Sequence, residues 1–200
     1  MAGAMFTGIL HRLRAERRDA RGGRCVAVIE CILNQNARDR GAAAYPALNA
    51  AVVALCARYG VGMLQIPCPE IRALGPARAR PAGVGIRDCM DSPAGWRACR
   101  EIGEDLARRV REYLDQGVEL LAVLGGNPES PGCAVHPSAC VDGNLDTASG
   151  ILMQTLSEAF AAADIRVPFR GMRDCREDWL AEDLHWLEQL FNGTMQGKSR

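Results

Sequence analysis

Three cysteines stand where apolar runs of strand length stop: Cys31 in RCVAVIECILNQNAR, Cys68 in GVGMLQIPCPE and Cys133 in LLAVLGGNPESPGCAVH. A single cysteine at such a place is ordinarily a small apolar core residue. Three of them on separate loops make a soft donor set if a fold gathers them. With a fourth ligand they suit tetrahedral zinc, and without one they suit an iron–sulfur cluster in which one iron lacks a protein ligand. Tens of residues separate them and no C-x-x-C pair links them, so spacing alone does not choose between these sites.

Groups able to move a proton lie close by in sequence. Glu30 precedes Cys31, Glu70 follows Cys68 by two, and Glu129 and Ser130 lead into Cys133. Glu70 could equally cap a helix or pair with arginine, and Ser130 before a proline could equally be a turn residue. His136 and Cys140 follow Cys133 closely enough for either to complete a four-ligand site, against a plainer reading as a loop histidine and a buried thiol. Arg72, Arg78 and Arg80 form a basic stretch, read first as a solvated loop face and second as a hold on an anionic group. Cys25, Cys56 and Cys99 fall within strand or helix patterns and read as core filling, whereas Cys89 and Cys175 read as loop or helix-start thiols. The GGNP run at Gly125 lacks the GK[ST] ending of a P-loop.

The elements that must position these residues alternate. CVAVIECIL is rich in β-branched residues, YPALNAAVVALCARYG has helical spacing, and GVGMLQIP is a second strand. The stretch from Pro69 to Cys89 is full of Pro, Gly and Arg without a period and reads as a functional loop. Ser92 offers an N-cap and Pro93 a first helical position for an amphipathic helix running to Gly117. VELLAVLGG is an apolar third strand, TASGILMQTLSEAFAAAD a helix, IRVPFRG a short fourth strand and DCREDWLAEDLHWLEQLF a closing helix with one apolar face. This order predicts an α/β fold, a Rossmann-like three-layer arrangement with a mostly parallel sheet and helices on both faces. In such a sheet the loops after the strands gather at one edge, where ligands bind. Cys31, Cys68 and Cys133 should meet there.

Two hundred residues, 48% of them hydrophobic, suit one globular domain, expected over 25–191 between a flexible basic arm at 1–24 and a flexible tail at 192–200. The charges cancel, 24 basic against 24 acidic, so no global field advertises nucleic acid and a small-molecule partner is expected. No apolar run reaches the roughly 18 to 20 residues that span a bilayer. Nine cysteines without an export signal argue against a disulfide framework and for a cytoplasmic setting in which thiols stay reduced. Composition leaves the oligomeric state open.

The ordered set ECILNQNAR, PCPE and ESPGC resembles the pattern of the thiouracil desulfurase family, and more closely its related desulfidases. The resemblance runs from Cys25 to about Gly171; its pieces are weak singly and fairly specific together. It implies that Cys31, Cys68 and Cys133 hold a 4Fe-4S cluster with one open iron. It implies hydrolysis of a C–S bond in a thiocarbonyl or thioamide compound, such as a thiolated nucleobase, without net redox change. Acid–base work would fall to Ser130 and to a glutamate, Glu70 or Glu30, with Glu129 a further candidate. Asn34 and Arg38 depart from the family pattern, which leaves a different thiolated molecule open as substrate. The alternatives are a zinc hydrolase using the same three cysteines, with His136 as an optional further ligand, and a non-catalytic cluster or thiol sensor.

Overall fold

The computed structural model describes residues 19–136, 145 and 147–193. Among these residues four strands form one sheet: β1 (Arg24–Ile29), β2 (Gly62–Ile66), β3 (Glu119–Gly125) and β4 (Phe169–Gly171). All pairings are parallel and the order is β2-β1-β3-β4. β1 lies between two neighbours, with Ala27 opposite Leu64 on one side and Val123 on the other. Val26, Ala27 and Val28 are each 0% exposed, and because successive side chains point to opposite faces, both faces of the sheet must be covered.

Among the described residues seven α-helices accompany it: α1 (Glu30–Leu33), α2 (Ala50–Arg58), α3 (Pro69–Leu74), α4 (Ile86–Met90), α5 (Pro93–Asp115), α6 (Ile151–Ala162) and α7 (Glu177–Phe191). A short 3-10 turn, Gln35–Ala37, follows α1. α5 packs against α6 and α2 against α7, one pair for each face of a three-layer α/β fold. α5 begins as its sequence requires: the Ser92 hydroxyl accepts the Gly95 N–H and Pro93 occupies the first turn. Its buried residues Ala98, Ile102, Leu106 and Val110 recur every fourth place and meet Leu152, Leu156 and Phe160 within the common core. Each fully buried aliphatic side chain of this kind contributes about 1.5–3 kcal/mol, so an aspartate at Leu106 or Leu156 would break the layer.

The stretch from Pro69 to Cys89, expected as a loop, contains α3 and α4. Six and five residues are too few for a hydrophobic period to show. Cys68 is the N-cap of α3, Pro69 its first residue, and Gly75 ends it with a φ of 76°. The fourth strand is shorter than IRVPFRG suggests. Pro168 cannot donate to the ladder, although its carbonyl accepts the Val123 N–H at 2.9 Å, and pairing proper starts at Phe169. Most of the expected arm, residues 1–18, and the end of the tail, 194–200, lie outside the described residues, as does Cys140. No described helix is long and apolar enough to cross a membrane.

The chain crosses from β1 to β2 through α2, then back past β1 to β3 through α5. The loops leaving β1 and β3 therefore diverge, and a crevice opens beyond the carboxyl ends of these adjacent strands. Cys31 follows β1 and Cys133 follows β3.

Candidate functional site

That crevice is a cavity of about 750 Å3 lined by Cys31, Cys68 and Cys133. Each thiol is presented by a different device. Cys31 sits on α1, directly after the buried β1, and its carbonyl accepts the Gln35 Nε2 at 2.7 Å. Gln35, 2% exposed, turns its Oε1 to the Ala44 N–H at 2.9 Å and so anchors the next loop as well. Cys68 has its backbone N–H fixed by the Glu30 carboxylate at 2.8 Å.

Cys133 ends a tight turn that β3 and α6 hold between them. The Gly126 N–H donates to the Cys133 carbonyl at 2.7 Å, while the Ile151 and Leu152 N–H groups donate to the Pro131 and Gly132 carbonyls. α6 thus satisfies its first amides on the cysteine loop and needs no side-chain cap. Two glycines make room. A Cβ on Gly126 would stand 2.6 Å from the Cys133 Sγ, and one on Gly150 would lie 2.6 Å from the Cys133 backbone nitrogen. Ser130 faces the same thiol: its Oγ accepts the Cys133 N–H at 3.2 Å and lies 3.1 Å from the Sγ.

Of the candidate carboxylates, Glu70 and Glu129 line the cavity and Glu30 does not, its carboxylate being engaged by the Cys68 amide. Glu70 is half-buried, and burial raises its carboxyl above the usual range, with the Arg78 guanidinium opposing part of the rise. Glu129 is exposed at the mouth. His136 is half-buried and not among the lining residues. Cys25, Cys56 and Cys99 are core residues, 6%, 0% and 0% exposed. Cys89 is half-buried on α4, and Cys175 is exposed and lines the cavity rim.

The arginines differ from a solvated basic face. Arg72 is exposed and pairs with Glu101, and Arg80 donates to the Val84 and Arg78 carbonyls. Arg78, however, is 2% exposed. Its guanidinium donates to the Ala37 carbonyl at 2.6 Å, the Pro76 carbonyl at 3.0 Å, the Glu70 carboxylate at 3.4 Å and the Cys68 Sγ at 3.5 Å. No local sequence signal gives a site role to Arg38 and Asp174. The Arg38 Nη2 lies 2.6 and 2.7 Å from the two Asp174 carboxylate oxygens, and Asn127 and Asn49 donate to the same carboxylate at 3.0 and 3.4 Å. Asp174 comes from the loop after β4, so it carries no local motif with the first cysteine loop. Four polar residues meeting in ECILNQNAR, YPALN, GGNP and MRDC would be the signal, legible only once the strand order is known.

Burial pushes the Cys31 thiol up to about 11, against which the Arg38 charge acts. It raises Cys68 as well, and Cys133 well above the ordinary value, where neighbouring Cys31 adds to the rise. The three therefore stay protonated at neutral pH. No group of three or more His, Cys, Asp and Glu among the described residues is arranged to hold a metal ion as it stands. The donor chemistry nonetheless fits a sulfur-rich metal group: three soft ligands line one cavity, and the Arg38 Nε is buried without a hydrogen-bond partner beside Cys31, as a donor awaiting an acceptor would be. Comparisons with protein-family models, curated proteins and solved structures find no match to this chain.

Proposed function

We propose that the protein is a non-redox desulfidase that uses Cys31, Cys68 and Cys133 to hold a 4Fe-4S cluster and replaces the sulfur of a neutral thiocarbonyl or thioamide compound by oxygen. The observation that carries this reading is the gathering of three strand-end cysteines with Ser130 and Glu70 around one cavity. Their sequence motifs resemble those of the thiouracil desulfurase family and its related desulfidases. When bound by three cysteines, such a cluster supplies an iron free of protein ligands, Lewis-acidic toward sulfur.

The chain's own residues supply the rest. Water adds an oxygen to the thiocarbonyl carbon, the C–S bond breaks, and sulfur departs as hydrosulfide; no electrons are gained or lost overall. Glu70, with its carboxyl raised by burial, takes the proton from water and returns one to the departing group. Ser130 holds the Cys133 turn through the Cys133 N–H and offers its hydroxyl to the substrate or to proton transfer. Trp179 is half-buried on the cavity wall, with the Arg173 and Arg176 guanidiniums over its ring.

Charge argues for a neutral substrate. Every lining arginine is ion-paired: Arg38 with Asp174, Arg78 with Glu70, Arg176 with Asp178. The carboxylates of Asp39 and Glu129 also line the cavity. An anionic group would find no free cation and two negative neighbours.

Anaerobic protein given 2-thiouracil should release hydrosulfide and uracil in equal amounts, with Ser130→Ala and Glu70→Gln each at least about 100-fold slower. Release at an undiminished rate from both variants would contradict the assignment of these roles. No turnover of any neutral thiocarbonyl compound by iron-loaded protein would contradict the activity.

A further inference from the structure

Two of the three cavity thiols have a polar side chain at hydrogen-bond distance, and the third has an arginine beside it. Ser130 serves Cys133 at 3.1 Å, and the Arg78 Nη2 serves Cys68 at 3.5 Å. Arg38 stands beside Cys31 with its Nε–H buried and unpartnered among the described residues. Arg78 is held there at a cost. Its φ of 48° is left-handed, a strained region that a residue with a long side chain rarely enters. From that strained backbone its guanidinium ties the Cys31 segment, through the Ala37 carbonyl, to the Cys68 segment, through Cys68 and Glu70. A surface-seeking arginine would need neither the strain nor the 2% exposure. Three thiolates closing on a metal–sulfur group bring negative charge into a buried place, where hydrogen bonds to sulfur and nearby cations act strongly.

We propose that Arg78 and Arg38 are positioning residues that donate to the Cys68 and Cys31 sulfurs, draw electron density from the group those cysteines hold, and thereby raise its reduction potential. The inference rests on the cluster reading of the cavity. It also ranks the two arginines. Asp174 lies 2.6 Å from Arg38 and neutralises it more fully than Glu70, 3.4 Å away, neutralises Arg78. Arg78 has the larger effect.

The test is a potentiometric titration of the anaerobic, iron-loaded protein, followed by its visible and electron paramagnetic resonance spectra. Arg78→Gln should retain iron and shift the midpoint potential downward, Arg38→Gln should shift it less, and Arg78→Lys should restore part of the loss. Iron-loaded Arg78→Gln with the wild-type potential overturns the inference and leaves the cluster standing. Wild-type protein that takes up no iron defeats the cluster first. Should Arg78→Gln fail to fold, wild-type protein carrying 15N in its arginine guanidinium groups decides. Pulsed paramagnetic resonance of the reduced cluster should show coupling to that nitrogen, and its absence overturns the inference.

Discussion

The Glu30 carboxylate accepts the backbone N–H of Cys68 at 2.8 Å, joining the end of β1 to the end of β2. This contact makes Glu30 a brace for a cysteine loop, and in the proposed reaction acid–base work falls to Glu70. Glu30→Gln keeps an oxygen at the same place and should cost little. Glu30→Ala leaves a partly buried N–H without a partner and should lower stability by about 1–3 kcal/mol in urea unfolding, with reduced iron uptake. Equal stability of Glu30→Ala and wild type would remove the brace.

The ion pair of Arg38 with Asp174 is almost wholly enclosed, its side chains 9% and 0% exposed. Removing one partner strands the other, so Asp174→Ala should destabilise the fold by about 3–5 kcal/mol. A double-mutant cycle with Arg38→Ala should show strong coupling. Additive effects would mean that the two residues act separately.

Much of the fold is legible in the sequence. β1 and β3 are continuous apolar runs, so their burial on both faces and the convergence of Cys31 and Cys133 follow from pattern and topology. The cap of α5 is written in Ser92 and Pro93. α3 and α4 were hidden because elements of six and five residues carry no period, and with them went the enclosed position of Arg78, which lies between them. Asp174 and Arg38 lie 136 residues apart, and no local rule pairs them.

Gly126 tests the cradle of the third cysteine. A methyl group there would stand 2.6 Å from the Cys133 sulfur and 3.2 Å from Ile29 Cδ1, so Gly126→Ala must displace the thiol. Iron uptake should fall several-fold, while circular dichroism shows the fold kept. Full iron content in this variant would mean that the Cys133 thiol points elsewhere in the loaded protein.

Thiol chemistry separates core cysteines from accessible ones. Burial pushes Cys56 to about 11 and Cys99 to about 12, so in folded protein near pH 8 almost none of either is thiolate. Cys175 is exposed. An alkylating reagent followed by peptide mapping should label Cys175 in native protein, and Cys56 and Cys99 only after unfolding. Both core thiols hold their protons more tightly when folded. The stability they carry is complete below the ordinary thiol range and is lost as pH rises through about 11 to 12. Rapid native labelling of Cys99 would contradict its place in the core.

Charge balance in the cavity yields a comparison of ligands. Iron-loaded protein should turn over 2-thiouracil and reject 2-thiouridine 5′-monophosphate, whose phosphate would meet Asp39 and Glu129 without a free cation. Asp39→Asn combined with Glu129→Gln should relax that rejection. Preference for the nucleotide by wild-type protein would overturn the neutral-substrate reading.

The most direct measurement is the metal and acid-labile sulfide content of protein purified or reconstituted without air. The account predicts a brown protein with about four irons and as many sulfides per chain, lost together when any of Cys31, Cys68 and Cys133 is replaced by alanine and retained when Cys56 is. A colourless protein that takes up zinc but no iron, or one whose iron survives the loss of all three, would contradict it.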